Sequence, residues 1–534
     1  MLHSKLTCQH ESNRSLIAAL AISFALFLLV LVEPLGADNA VLHSMALDLV
    51  RYGRLPYIGT WDNNFPGIVF LHAIGIRLLG ESGISFRIFD ILIQLLFVAF
   101  LFNFLLRWLK PHTAALAGVM YAAYYVSGGT YLFGQQDGYG MMLVLMGTSL
   151  IIPKSQGKDI NAAQIAVGGM ISGLPLLMRP TFALYIGILG IYVLFQTDKR
   201  SIIIRLLRSA LFTVAALLPI AALIYFYSSI PGGLEAFYTS TIRFNLDVYT
   251  KLAGGTLWIE VFRSGLLIPL AIWAIFLNGG ERSELIIKDH QKKEILLLAS
   301  FIGAGLFIVF FMGKYWRYQF APFYIAMIPF SAVGIERLMI RAQEGLRRHY
   351  VMVISVLLST FIAYNPIAPM AFALGLIEHS DPFQKADEAR RPSPLFGAKP
   401  EHDLIAYIER PENRSGAIEI CGFDPYLRLN LNRPFVGPYA TFHALAFRTD
   451  ATNLGFPHYT DYQRKWQTDY VALLEKSKPR FIILGRHQSF WYIHDIYDDC
   501  LRYIPGFDTM LNLNYRFDTA FGGFQVYRSN RKDK

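Results

Sequence analysis

Charge is what this sequence has least of: Asp, Glu, Lys and Arg together make up 16% of its 534 residues, where soluble domains carry about a quarter. With 54% hydrophobic residues, a water-soluble chain is excluded and an integral membrane protein is implied. Cysteine is nearly absent as well. Cys8, Cys421 and Cys500 have no metal-ligand spacing, and no His, Cys and carboxylate grouping supplies it elsewhere. Cys421 and Cys500 remain able to pair in an oxidising compartment. No phosphate-binding glycine loop is present, since Cys421-Gly422-Phe423-Asp424 lacks the fingerprint. Nor is there an internal repeat with Gly/Pro-broken helices at matching positions, which weighs against the competing class, a transporter or flippase for a lipid-linked or envelope precursor.

What is present is a series of long apolar runs. The first, about 16–35, follows Lys5 and Arg14. It is too long for a signal-peptide core and has no cleavage pattern after it, so it reads as an uncleaved span. Further runs at 84–106, 112–130, 139–153, 162–178, 181–196, 208–230, 256–278, 294–312, 318–338 and 350–376 bring the expected spans to eleven. The segment 68–79, with His72 and Arg77 inside it, is too short and too polar to cross and reads as a re-entrant or interfacial helix. Gly169 and Gly173 have the spacing of a close helix contact.

The net charge of +10 raises the question of nucleic acid, and its placement answers it. If 68–79 does not cross, the clusters Arg107/Lys110, Lys154/Lys158, Lys199/Arg200/Arg205/Arg208, Arg282/Lys288/Lys292/Lys293 and Arg337/Arg341/Arg347/Arg348 all fall on the side of Lys5 and Arg14. That side is the cytoplasm. The outer face of an inner or plasma membrane then holds the 36–66 stretch, the Tyr131–Asp137 loop, Arg179, the 231–255 loop, Lys314 to Tyr318 and everything after 377. Lys314, Arg317 and Arg179 stand beside aromatics at outer span ends, where an anionic headgroup would lie; snorkelling to lipid phosphates is the bland alternative. Arg87 and Arg263 lie inside apolar runs, where a charge is costly, and Arg87 has Asp90 one turn away as a local partner.

Two domains are expected: a membrane body over 1–377 and, after the polar, proline-rich stretch 380–400, a soluble α/β domain over 378–534. In the latter Asp403–Ile408 and Tyr462–Glu475 pattern as helices and Ala417–Cys421, Phe481–Leu484 and Phe524–Tyr527 as strands. The stretch on which the reading turns is the first outer loop, with Asp38 directly after span one. A carboxylate there invites a catalytic role, yet from position alone capping of a helix over about 39–52, or plain solvation, is the better account.

That loop carries Leu49-Val50-Arg51-Tyr52-Gly53-Arg54-Leu55-Pro56-Tyr57, then Trp61-Asp62-Asn63-Asn64-Phe65-Pro66, with Gly80 shortly before Phe86-Arg87. It resembles the first outer loop of polyprenyl-phosphate-sugar-dependent glycosyltransferases with the C-type membrane fold, above all protein O-mannosyltransferases (glycosyltransferase family 39) and lipid A aminoarabinose transferases. The resemblance covers most of the chain, including Asp137 early in a later span and the Lys314–Pro322 turn. It implies inverting sugar transfer from a polyprenyl phosphate to a hydroxyl acceptor. Asp38 would be the base, Lys314, Arg317, Arg87 and Arg179 the donor-phosphate ligands, and Tyr57, Asp62, Asn64, Asp137 and Tyr318 substrate-binding residues. No cofactor is required by this chemistry, although a divalent metal is compatible with it. The chain departs from the pattern twice. Asp38-Asn39 stands where protein O-mannosyltransferases carry Asp-Glu, which weighs against a protein acceptor. Asn64-Phe65-Pro66 replaces a Lys-Pro-Pro-like element, so Lys314 or Arg317 must supply the missing cation.

Overall fold

The computed structural model describes residues 2–530 apart from 33–34, 154–159, 197–200, 253–256, 258–266, 277–291, 342–398, 449–457, 487–492 and 494. The expected span 350–376, Arg263 and nearly all of the 380–400 stretch lie outside the described residues.

Up to residue 230 the long helices are α1 (Leu2–Phe27), α2 (Ala37–Tyr52), α3 (Gly67–Leu79), α4 (Gly83–Leu105), α5 (Pro111–Ser127), α6 (Gln136–Ile151), α7 (Ala162–Gly173), α8 (Ala183–Phe195) and α9 (Ile202–Ser228). Leu267–Phe276, Lys292–Met312 and Ala321–Arg341 follow. Every apolar run expected to span before residue 340 therefore contains a helix, and the chain is a polytopic α-helical membrane protein. Five of the described helices are at once long and apolar enough to cross by themselves. Helix α3, at 13 residues, is about 20 Å long, well short of a hydrocarbon core of about 30 Å.

By internal packing the chain forms two units, residues 1–33, 86–226 and 254–377 in the first and 34–85, 227–253 and 378–534 in the second. Residues 34–85 and 227–253 thus group with the C-terminal residues. In the first unit, α7 lies against α9 as the Gly169/Gly173 spacing implies: a Cβ on Gly169 would meet the Phe212 carbonyl oxygen at 2.5 Å, and one on Gly173 the Ala216 oxygen at 1.9 Å. Only glycine allows that approach.

The second unit contains a four-stranded sheet of β1 (Ile418–Cys421), β2 (Phe481–Gly485), β3 (Tyr515–Phe521) and β4 (Phe524–Ser529) in the order β1-β2-β4-β3. β1 and β2 are parallel, with Ile418 opposite Phe481, while β4 runs antiparallel to both β2 and β3. Alternate residues of β2 enter different cores. Ile482 and Leu484 pack with Trp61, Phe244, Tyr470 and Phe507, whereas Phe481 and Ile483 pack with Leu404, Leu427 and Val526. A strand covered on both faces reads as an unbroken apolar run, as Phe-Ile-Ile-Leu does. The helices Lys399–Ile408 and Asp461–Ser477 cover the expected helical patterns. Strand β3 goes unanticipated.

Candidate functional site

The second unit holds Asp38, Tyr57, Asp62 and Asn64. Helix α2 starts at Ala37 with Gly36 as its N-cap and no side-chain capping bond, and Asp38 is exposed in its first turn. The capping role open for Asp38 is thereby corrected: the helix begins earlier than the sequence pattern indicated, so the carboxylate stands within the first turn, beside the positive end of the helix dipole. At the other end Gly53 closes the helix at φ 66°, a left-handed conformation that glycine takes without strain.

The chain then doubles back. Tyr57, also at positive φ (69°), is a non-glycine residue in a region usually seen where surrounding contacts enforce it. Its hydroxyl donates to the Asn64 carbonyl, and its ring packs against Tyr227 and Phe237 at 5.6 Å. Asp62 is buried, and its Oδ1 accepts from the Asn64 backbone N–H at 2.7 Å and from Asn64 Nδ2 at 2.8 Å, an Asx-type turn. Burial, with a smaller contribution from the Asp38 charge, raises its pKa from 3.8 to about 6 against the lowering effect of the Asn64 bonds. The two loop carboxylates therefore sense each other.

Other contacts lock this loop in place. Asn63 and Asn245 exchange hydrogen bonds at 2.8 Å, and the Trp61 backbone N–H donates to the Pro438 carbonyl at 2.8 Å. Asp48 lies 3.6 Å from Arg54 and 3.5 Å from Arg428. The Asp48–Arg428 and Asn63–Asn245 pairs escape sequence reasoning because their members are remote in the chain. Buried His43 and His72 face each other, Nδ1 to Nδ1 at 3.4 Å, and again no spacing announces it.

The first unit holds Arg87, Asp137, Arg179, Lys314, Arg317 and Tyr318. Arg179 precedes Pro180, which disfavours helix at the residue before it; its backbone is extended (φ −152°) between the short turns Leu174–Leu177 and Pro180–Phe182. That break aims the side chain at Asp137 in the first turn of α6. Arg179 Nε lies 3.2 Å from Asp137 Oδ2, with both groups buried. The guanidinium also lies over the Tyr318 ring, 5.3 Å from its centre. One expected phosphate ligand, Arg179, is thus in contact with two expected substrate-binding residues, Asp137 and Tyr318.

Tyr318 belongs to the short helix Arg317–Phe320. The preceding turn has Gly313 at φ 62° and Tyr315 at φ 53°. Arg317 donates to the Ser127 carbonyl at the end of α5 at 3.0 Å. Lys314 is buried, which pulls its pKa below the usual lysine value and makes its charge more effective toward an anion. Arg87 is buried over the Phe133 ring at 5.0 Å. Its expected neighbour Asp90 is also buried and accepts from Gln94, Tyr125 and Tyr139.

Among the described residues, no three His, Cys, Asp or Glu side chains are grouped to hold a metal. Cys421 and Cys500 are separate buried thiols rather than a disulfide; Cys421 lies 3.3 Å from the Tyr470 hydroxyl and Cys500 faces the Ala446 carbonyl.

A family model described as dolichyl-phosphate-mannose-protein mannosyltransferase matches residues 63–226. Comparison with curated protein sequences finds no match. Among solved structures, ArnT from Cupriavidus metallidurans bound to undecaprenyl phosphate is similar at a TM-score of 0.55 and 16% identity, over 96% of this chain and 97% of that one. The Archaeoglobus fulgidus oligosaccharyltransferase AglB, in complex with an inhibitory peptide and a dolichol-phosphate, is similar at 0.51 and 12% identity, over 98% of this chain and 74% of that one. This chain shares the fold of both structures.

Proposed function

We propose that this protein is an inverting glycosyltransferase that moves a sugar from a polyprenyl-phosphate donor to a hydroxyl acceptor, a glycolipid, envelope glycan or protein, on the outer face of the inner or plasma membrane. In this reading residues 1–377 form the transferase body and 378–534 an extracytoplasmic α/β domain. The observation that carries it is the buried Arg179–Asp137 pair under Tyr318, in a chain whose fold matches a protein that binds undecaprenyl phosphate. A buried arginine fixed by a carboxylate and an aromatic ring is preorganised to meet a phosphate.

A sugar on a lipid phosphate already has a good leaving group, so no strong general acid is needed. Lys314, Arg317, Arg179 and Arg87 hold the departing phosphate, where negative charge builds up in the transition state. Asp38, exposed in the first turn of α2, takes the proton from the acceptor hydroxyl. Attack opposite the leaving phosphate inverts the anomeric centre. Tyr57, Asp62, Asn64 and Tyr318 shape the substrate site.

The test is Asp38→Asn. Transfer of labelled sugar from the polyprenyl phosphate should fall roughly 10²–10⁴-fold in membranes holding matched amounts of folded protein. A folded variant that keeps more than about half the activity would remove Asp38 as base. Wild-type protein that moves the lipid-linked sugar with its glycosidic bond intact would point to a transporter instead.

A further inference from the structure

The proposed chemistry uses Arg87, Asp137 and Arg179 and leaves a buried carboxylate beside them without a task. Asp90 lies one turn beyond Arg87 on α4 and is fully buried. Its Oδ1 accepts from Gln94 Nε2 at 2.9 Å and from the Tyr139 hydroxyl at 2.6 Å, and its Oδ2 accepts from the Tyr125 hydroxyl at 2.6 Å. The Tyr125 oxygen in turn accepts the Gly134 backbone N–H at 2.7 Å, while the Tyr121 hydroxyl donates to Gln94 Oε1. One carboxylate therefore gathers α4, α5, the loop after α5 and α6.

A charge buried among spans is expensive unless fully hydrogen-bonded, and here the bonds also have fixed direction. Each phenol has one proton, and both Tyr125 and Tyr139 spend theirs on Asp90. The consequence is mechanical. Asp137 and Tyr139 are two residues apart on α6, about 200° around the helix axis, so they point to nearly opposite sides. Anchoring Tyr139 to Asp90 fixes the rotation of α6, and that rotation turns Asp137 toward Arg179 at 3.2 Å. The bond from Gly134 to Tyr125 likewise fixes the residue before Gly134, Phe133, whose ring carries the Arg87 guanidinium.

We infer that Asp90 is a positioning residue, working through Tyr139 and Tyr125 to aim the Asp137–Arg179 pair and seat Arg87. Its link to donor binding rests on the function proposed above; its effect on the pair does not.

The experiment is a double-mutant cycle of Tyr139→Phe and Asp137→Asn in purified full-length protein in detergent. Tyr139→Phe keeps the ring and removes one bond to Asp90, so it is milder than Asp90→Asn, which would turn an amide donor toward a phenol. Two readouts are taken: melting temperature without lipid, and affinity for undecaprenyl phosphate. If Tyr139 acts through Asp137, the two changes are non-additive in melting temperature, because the aim of a missing carboxylate no longer matters. Tyr139→Phe should also weaken lipid binding roughly tenfold, with little further loss in the double variant than in Asp137→Asn alone. Additive melting shifts overturn the inference, since a merely structural bond gives additivity. Coupled melting shifts in a protein that binds no undecaprenyl phosphate uphold the positioning role and remove the donor reading instead.

Discussion

Replacing Asp62 by Asn should make the protein more stable, and by an amount that depends on pH in a defined way. The Asp62 carboxyl ionises at about 6 when folded against 3.8 ordinarily, chiefly because it is buried. Between those values the unfolded chain has already lost the proton that the folded chain keeps, so stability falls as pH rises through this window. Below about pH 4 the penalty is absent, and above about pH 6 it is complete. At about 1.4 kcal/mol per pH unit, the full penalty is about 3 kcal/mol. An Asn side chain has the same size, and its oxygen accepts the same two bonds from Asn64. Asp62→Asn should therefore gain up to about 3 kcal/mol at pH 8, with the gain shrinking to nothing near pH 4. Thermal unfolding in detergent from pH 4 to pH 8 measures it. A variant less stable at pH 8, or a gain that does not vary with pH, would refute the reasoning.

Arg179→Met should destabilise the fold by about 3 kcal/mol, since it strips the buried Asp137 of its guanidinium partner; Arg179→Lys should recover stability only in part, because lysine cannot both reach the carboxylate and stack on Tyr318. Detergent melting curves of the two variants decide this. Neutralising Lys314 or Arg317 to Met should raise the donor KM and lower kcat, and unaltered kinetics in both singles and the double would remove them as phosphate ligands. Gly173→Leu should abolish folded protein in gel filtration, because its Cβ alone would overlap the Ala216 carbonyl of α9.

The membrane body was legible because crossing a bilayer demands apolar runs, and each such run before residue 340 holds a helix. The central strand β2 was legible for a related reason, being apolar on both faces. Strand β3 was not: Tyr515–Phe521 is an edge strand whose side chains are mostly partly exposed, so burial leaves little pattern in it. The charges were visible but their partners were not. Nothing in the sequence ties Asp137 to Arg179, or Asp90 to Tyr139, since a carboxylate's neighbours depend on how helices rotate and pack. The start of α2 was misjudged for a local reason: Asp at a helix start reads as a cap, whereas Gly36 fills that position.

The second unit is assembled from segments that lie far apart along the chain, and this has a consequence for synthesis. The loop that carries Asp38 and Asp62 leaves the ribosome early, while the groups that hold it, the Pro438 carbonyl for Trp61 and Arg428 for Asp48, are made more than 350 residues later. Until then Asp48 has no Arg428 and the Trp61 ring has no Trp466 or Tyr439 against it. The early loop therefore waits, held at most by Asn245 and the Tyr227 and Phe237 rings, until the C-terminal residues are made. A translation product cut short before residue 428 would hold every span residue of the proposed donor site and still lack a fixed first loop, so the order of synthesis itself withholds a finished centre from incomplete chains.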